Sequence, residues 1–336
     1  MHRRLRSCAT LLVPSLASVV GLLPTPSLAQ TIVWTDQNAG RIQGKSVNAG
    51  EVQTLVQFPA PQSASLLDYD PVGGKIYYLF DPGPQSAFLQ RANLDGSDPE
   101  DLPNFPVRAF SVNAELRKLY WLESFAPDYF RYSELDGTGA GSHTYEFCCL
   151  QIIEAIGDDL FWGTGGTVGK GVWRADADGS NEQFLGASVQ PMDLVYDTVE
   201  DKLYLAVIDA IYRLNPDGSD FQLVVHPSQA GEPSHLEMDS QRGKLYWIDT
   251  ASRIIRRSNL DGSNVENFVT VAEVGNPNFE PMGIALVYDP TPIPTLSVWG
   301  LAAMGALLVA SAALIVRRRR QEGRPPPGDL WAACLT

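Results

Sequence analysis

Residues 243–263 read Gly-Lys-Leu-Tyr-Trp-Ile-Asp-Thr-Ala-Ser-Arg-Ile-Ile-Arg-Arg-Ser-Asn-Leu-Asp-Gly-Ser. Two β-favouring runs, Lys244 to Ile248 and Ile254 to Asn259, flank a polar turn. Asp261-Gly262 follows, the pair that supplies positive φ in a tight hairpin. A run from His235 to Met238 precedes them and one from Val265 to Val269 comes after. Four short strands with their turns occupy about 42 residues, the size of one β-propeller blade.

The unit recurs. Its aromatic segment appears as Ile32-Val33-Trp34-Thr35-Asp36, Ile76-Tyr77-Tyr78, Leu119-Tyr120-Trp121, Leu160-Phe161-Trp162, Leu203-Tyr204-Leu205 and Leu245-Tyr246-Trp247. From Trp34 through Tyr78, Trp121, Trp162 and Leu205 to Trp247 the steps are 44, 43, 41, 43 and 42 residues. Asp-Gly recurs at 95–96, 136–137, 178–179, 217–218 and 261–262, with Ala49-Gly50 in the first copy. A basic residue stands five places before these glycines at Lys45, Arg91, Arg174, Arg213 and Arg257, and six places before at Arg131. Eight places before the reference aromatic stand Asp70, Asn113, Glu154, Asp197 and Asp239.

A lone blade cannot bury both of its faces, so the copies imply a ring. Thr31 to Asp36 reads as a second strand without a first. Pro281 to Asp289 reads as a first strand without a second. The expected fold is therefore all-β: a six-bladed β-propeller of four-stranded blades over residues 30–290, closed where the N-terminal strands pair with the C-terminal strand. The units resemble the YWTD repeats of the low-density lipoprotein receptor class, which form six-bladed propellers. Trp34-Thr35-Asp36 keeps three letters of that motif, and the Asp-Gly-Ser and preceding Arg are kept better than the motif itself.

Both ends read as addresses. Arg3, Arg4 and Arg6 precede an apolar run from Leu11 to Leu23, and Ser27-Leu28-Ala29 sets a signal-peptidase cleavage between Ala29 and Gln30, so residues 1–29 are expected to be removed. Leu296 to Val316 is uncharged and long enough to span a bilayer as a helix. Arg317, Arg318, Arg319 and Arg320 follow, which places that end in the cytoplasm, with 321–336 as a cytoplasmic tail. Ile293, Pro294, Thr295, Leu296, Trp299 and Gly300, followed by the helix and the arginines, resemble the IPTL-CTERM sorting signal of bacterial envelope proteins over residues 291–320. That resemblance implies a transient partner, an exosortase-like membrane peptidase. It also implies passage from a single-pass inner-membrane intermediate to the envelope, surface or medium.

The chain has 336 residues and a formal net charge of −14. Residues 30–295 hold 37 Asp and Glu against 17 Lys and Arg. A body so acidic repels phosphate polymers, which excludes a nucleic-acid partner. Four Cys and four His exclude a disulfide-built scaffold and a His-rich metal centre. Cys148-Cys149 is open to a vicinal disulfide, a link between chains, or a half-buried pair of thiols. The Asp-Gly-Ser turns superficially suggest calcium, but their hairpin positions favour a backbone role.

First strands line a propeller's channel. Asp193, His235 and Glu237, with Asp68, are the candidates for a channel site, although the copies differ at these offsets. The expected function is a non-enzymatic, envelope-displayed module that binds a protein or glycan through the loops Asp81 to Ala87 and Ser124 to Tyr129, without cofactor or metal. The alternative is a lactonase-like, metal-dependent hydrolase, which needs three or more carboxylate, Asn or His side chains converging in the channel.

Overall fold

The computed structural model describes residues 30–48, 50–83, 87–102, 107–123, 129–144, 150–166 and 169–288. Ala29, Cys148, Cys149, the sorting residues Ile293 to Gly300 and the arginines at 317–320 lie outside them. Within them are six four-stranded antiparallel sheets. The inner strands of blades 1 to 6 are Pro281–Tyr288, Ser63–Asp70, Val107–Asn113, Leu150–Ile156, Asp193–Asp197 and Pro233–Asp239. Blade 1 takes its inner strand from the far end of the chain: Pro281–Tyr288 pairs with Gln30–Asp36, with Ile284 opposite Trp34. This is the closure that the unmatched terminal strands implied, and it gives blade 1 its fourth strand. The described residues hold no helix long and apolar enough to cross a membrane; the expected span at 296–316 lies outside them.

The repeat-fixed aromatics form the cores between blades. Trp34, Tyr246, Ile248, Phe268, Phe279 and Ile284 pack together where blade 6 meets blade 1. Phe161, Leu185, Leu194, Leu203 and Leu205 do so between blades 4 and 5. Burying aromatic and branched side chains of this size contributes about 1.5–3 kcal/mol each.

The polar repeat letters have separate tasks. In each Asp-Gly-Ser or Asp-Gly-Thr turn the Asp accepts the hydroxyl of the residue after Gly, at 2.6 Å in all five copies. The glycines sit at φ of +77 to +85°. The recurring Tyr and Arg hold the next blade's turn: Tyr77 Oη and Arg91 Nη1 both donate to Leu135 O, at 3.2 and 2.8 Å. Tyr204 Oη donates to Leu260 O at 3.1 Å, and Arg257 Nη1 to Val47 O at 3.0 Å.

Candidate channel site

The six inner strands surround a cavity of about 330 Å³, whose walls include Asp68, Glu154, Asp193, His235 and Glu237. The candidate residues Asp193, His235 and Glu237 thus share one space with Asp68. Glu154, which shares that space and is bound by Ser111, was not among the candidates.

Glu154 reaches the channel through a shortened turn. Asp70, Asn113, Asp197 and Asp239 end their inner strands opposite Lys75, Lys118, Lys202 and Lys244, each ahead of a four-residue turn. Blade 4 turns on Gly157-Asp158 alone, with Ile156 opposite Asp159. Two residues fewer preserve the side-chain face of a strand, whose period is two, but slide the register. Glu154 therefore stands opposite Phe161, level with Asp68 opposite Tyr77, Ser111 opposite Tyr120 and Glu237 opposite Tyr246. This corrects the sequence alignment that grouped Glu154 with Asp70 and Asp239. The signal for it was the 41-residue step, the shortest of the five.

The carboxylates are tied to main chain. Asp68 accepts from Tyr69 N at 2.6 Å and from Val112 N of blade 3 at 2.7 Å. Asp193 accepts from Leu194 N at 2.9 Å and from Leu236 N of blade 6 at 2.6 Å. Glu237 accepts from Met238 N at 2.7 Å and from Leu286 N of blade 1 at 2.9 Å. Each uses one oxygen within its own strand and the other on the neighbouring blade. Ser111 does the corresponding work between blades 3 and 4: its hydroxyl accepts from Ala155 N at 3.0 Å and donates to Glu154 Oε2 at 3.1 Å.

Burial opposes ionisation here and outweighs the lowering effect of these N–H donors. The Asp68 carboxyl is raised to about 6, Asp193 to about 7 and Glu237 to about 8. Glu154 is pushed well above the usual carboxylate range, first by burial and then by the charges of Asp68, Asp193 and Glu237. His235 is lowered to about 4 by burial, so its ring is neutral at physiological pH. Its Nδ1 lies 3.1 Å from Ser234 Oγ. It occupies a β-bulge at φ +47°, and Leu66 occupies the corresponding bulge of blade 2 at φ +46°.

Among the described residues, no group of three or more His, Cys, Asp and Glu is arranged to hold a metal ion. The channel acids converge on one cavity, but Asp68, Asp193 and Glu237 direct their oxygens at backbone N–H groups and Glu154 accepts from the Ser111 hydroxyl. Elsewhere, Trp173 is half-buried between Trp162 and Phe184, with ring centroids 6.2 and 4.9 Å away. Tyr129 stacks on Arg131 and donates to Glu123.

The chain carries the IPTL-CTERM motif, matched over residues 291–321. It marks an exported surface protein with a C-terminal membrane-anchoring signal. The propeller is similar in fold to a chain of a nidogen/laminin complex, at 15% identity and a TM-score of 0.65, covering 77% of this chain and 99% of that one. TolB from Acinetobacter baumannii matches at 10% identity and a TM-score of 0.61, over 77% of this chain and 66% of that one. A protein of unknown function from Bacteroides caccae matches at 11% identity and a TM-score of 0.53, over 77% and 99%. At such identities the likeness is one of fold.

Proposed function

We propose that the protein is a non-enzymatic binding module of the bacterial envelope, whose propeller grips a protein or glycan with its loop face. The signal peptide (residues 1–29) would export it, and an exosortase-like peptidase would cut near Ile293 to Leu296 and release it from the inner membrane.

The observation that carries this reading is the direction in which the chain leaves the propeller. Strands alternate in direction, so turns 71–74, 114–117, 198–201 and 240–243 share one face with the Asp-Gly turns and with the end of Pro281–Tyr288. Tyr288 lies three residues before the matched motif. Seven residues separate it from Leu296, a reach of about 23 Å when extended. While the chain is anchored, the turn face is toward the membrane and the opposite face is presented outward. That outward face carries the strand ends at Asp81, Phe88, Glu123 and Tyr129 and the loop 207–210. Asp95, Asp136, Asp178, Asp217 and Asp261 ring the turn face, their carboxyls held low by the Ser or Thr hydroxyls they accept. Such a ring discourages contact with anionic headgroups.

Photo-crosslinking in the native envelope tests the reading. A crosslinking residue at Ile208, which is 75% exposed on the loop face, is expected to give a discrete adduct. One at Val199, 71% exposed on the turn face, is expected to give none. Adducts from Val199 alone, or from neither position, overturn the proposal. Intact mass of the released protein tests the processing: an end beyond Val316 overturns it.

A further inference from the structure

Gln30 opens the second strand of blade 1, Gln30–Asp36, and pairs with Tyr288 at the ring closure. Its carbonyl accepts from Val47 N at 3.0 Å, so the residue is held from both sides. It is 0% exposed, yet neither Nε2 nor Oε1 of its side chain has a hydrogen-bond partner. A buried amide that makes no hydrogen bond bears the full desolvation cost of its polar atoms. Cleavage after Ala29 would add an α-ammonium group at the same enclosed place, where a lone charge is costlier still.

We infer that Gln30 becomes pyroglutamate once the signal peptide is removed; the inference rests on cleavage between Ala29 and Gln30. The free α-amine attacks its own side-chain Cδ. An N–Cδ bond forms, the Cδ–Nε2 bond breaks and ammonia leaves, with no change of oxidation state and no co-reactant. The ring removes the terminal charge and the orphaned Nε2 donor, leaves a single lactam N–H, and keeps Oε1 as the lactam carbonyl. The modification therefore removes the buried charge and one of the two orphaned side-chain atoms at this corner of blade 1. The main-chain carbonyl stays free to accept from Val47.

The test is N-terminal peptide mass spectrometry on the exported protein, with sequential degradation before and after pyroglutamyl aminopeptidase. The expected peptide starts at residue 30, is lighter than the encoded peptide by one ammonia, and resists degradation. The block should come off after denaturation and persist in the native protein, because the ring is buried. A peptide starting at Gln30 with a free amine overturns the inference while leaving the cleavage reading intact. A peptide starting elsewhere overturns both. Removal of the block from the native protein overturns the buried placement on which the argument stands.

Discussion

Blades 6 and 1 meet through an apolar core bound by polar ties; blades 4 and 5 meet through an apolar core that lacks these ties among the described residues. At the first junction Glu237 accepts Leu286 N, and Arg257 holds Val47 O. Lys45 donates to Phe268 O at 2.7 Å and pairs with Glu273 at 2.6 Å. The Phe268 ring lies between Lys45 and Arg257, each 5.1 Å from its centroid. At the second junction Glu154, level with Glu237, binds Ser111 of blade 3 in place of main chain of blade 5, and Phe161 replaces the latching Tyr. Arg174 turns to Asp159 within its own blade. The difference lies in the residues that the copies place at the tie positions and not in the order of the chain. Blades 2 and 3, and blades 5 and 6, follow one another directly and still carry the ties. At the ring closure the same ties hold segments more than 200 residues apart against loop entropy.

The harshest way to break this comparison is to delete Pro281–Tyr288. Without its inner strand blade 1 cannot form, and the cooperative unfolding transition is expected to vanish in a urea titration followed by circular dichroism. Glu237→Ala comes next. It leaves the N–H groups of Met238 and Leu286 without their acceptor and is expected to cost about 2–4 kcal/mol. Ile156→Val, a change in the apolar seam between blades 4 and 5, is expected to cost about 1 kcal/mol. Equal losses would show that the polar ties are incidental.

Proton linkage sharpens the contrast further. The folded protein keeps protons on Asp68, Asp193 and Glu237 to about 6, 7 and 8, above their ordinary carboxylate values. Between the ordinary range and these values the native state binds more protons than the unfolded chain. The associated stability is therefore present in mild acid and lost as pH rises, by up to about 1.4 kcal/mol per pH unit for each proton held. The urea midpoint is expected to fall from pH 5 to pH 9, and less steeply in Glu237→Ala. A flat profile would refute the buried-carboxyl account. The smallest effects concern the latch: Tyr204→Phe is expected to lose about 1 kcal/mol, and Phe161→Tyr to gain about as much by reaching the Pro216 carbonyl. A Phe161→Tyr variant that gains nothing would show that the seam cannot take a latch.

The sequence by itself determined the blade count, the four-strand unit and the split blade. Those depend on local patterns: a repeat near 42 residues, Asp-Gly at hairpin turns, and two terminal strands each missing a partner. The aromatic letters read as core and are core, since a large apolar ring at a repeat-fixed place has nowhere else to go. Tertiary structure alone decided which polar residues converge. Asp68 and Val112 are 44 positions apart, and nothing local links a carboxylate to that N–H. Glu154 joined the channel because a two-residue turn shifted its register, and Ser111 replaced a carboxylate in the same ring. Strand register and the meeting of six inner strands are properties of the closed ring, so the channel's chemistry became readable only once the ring was closed.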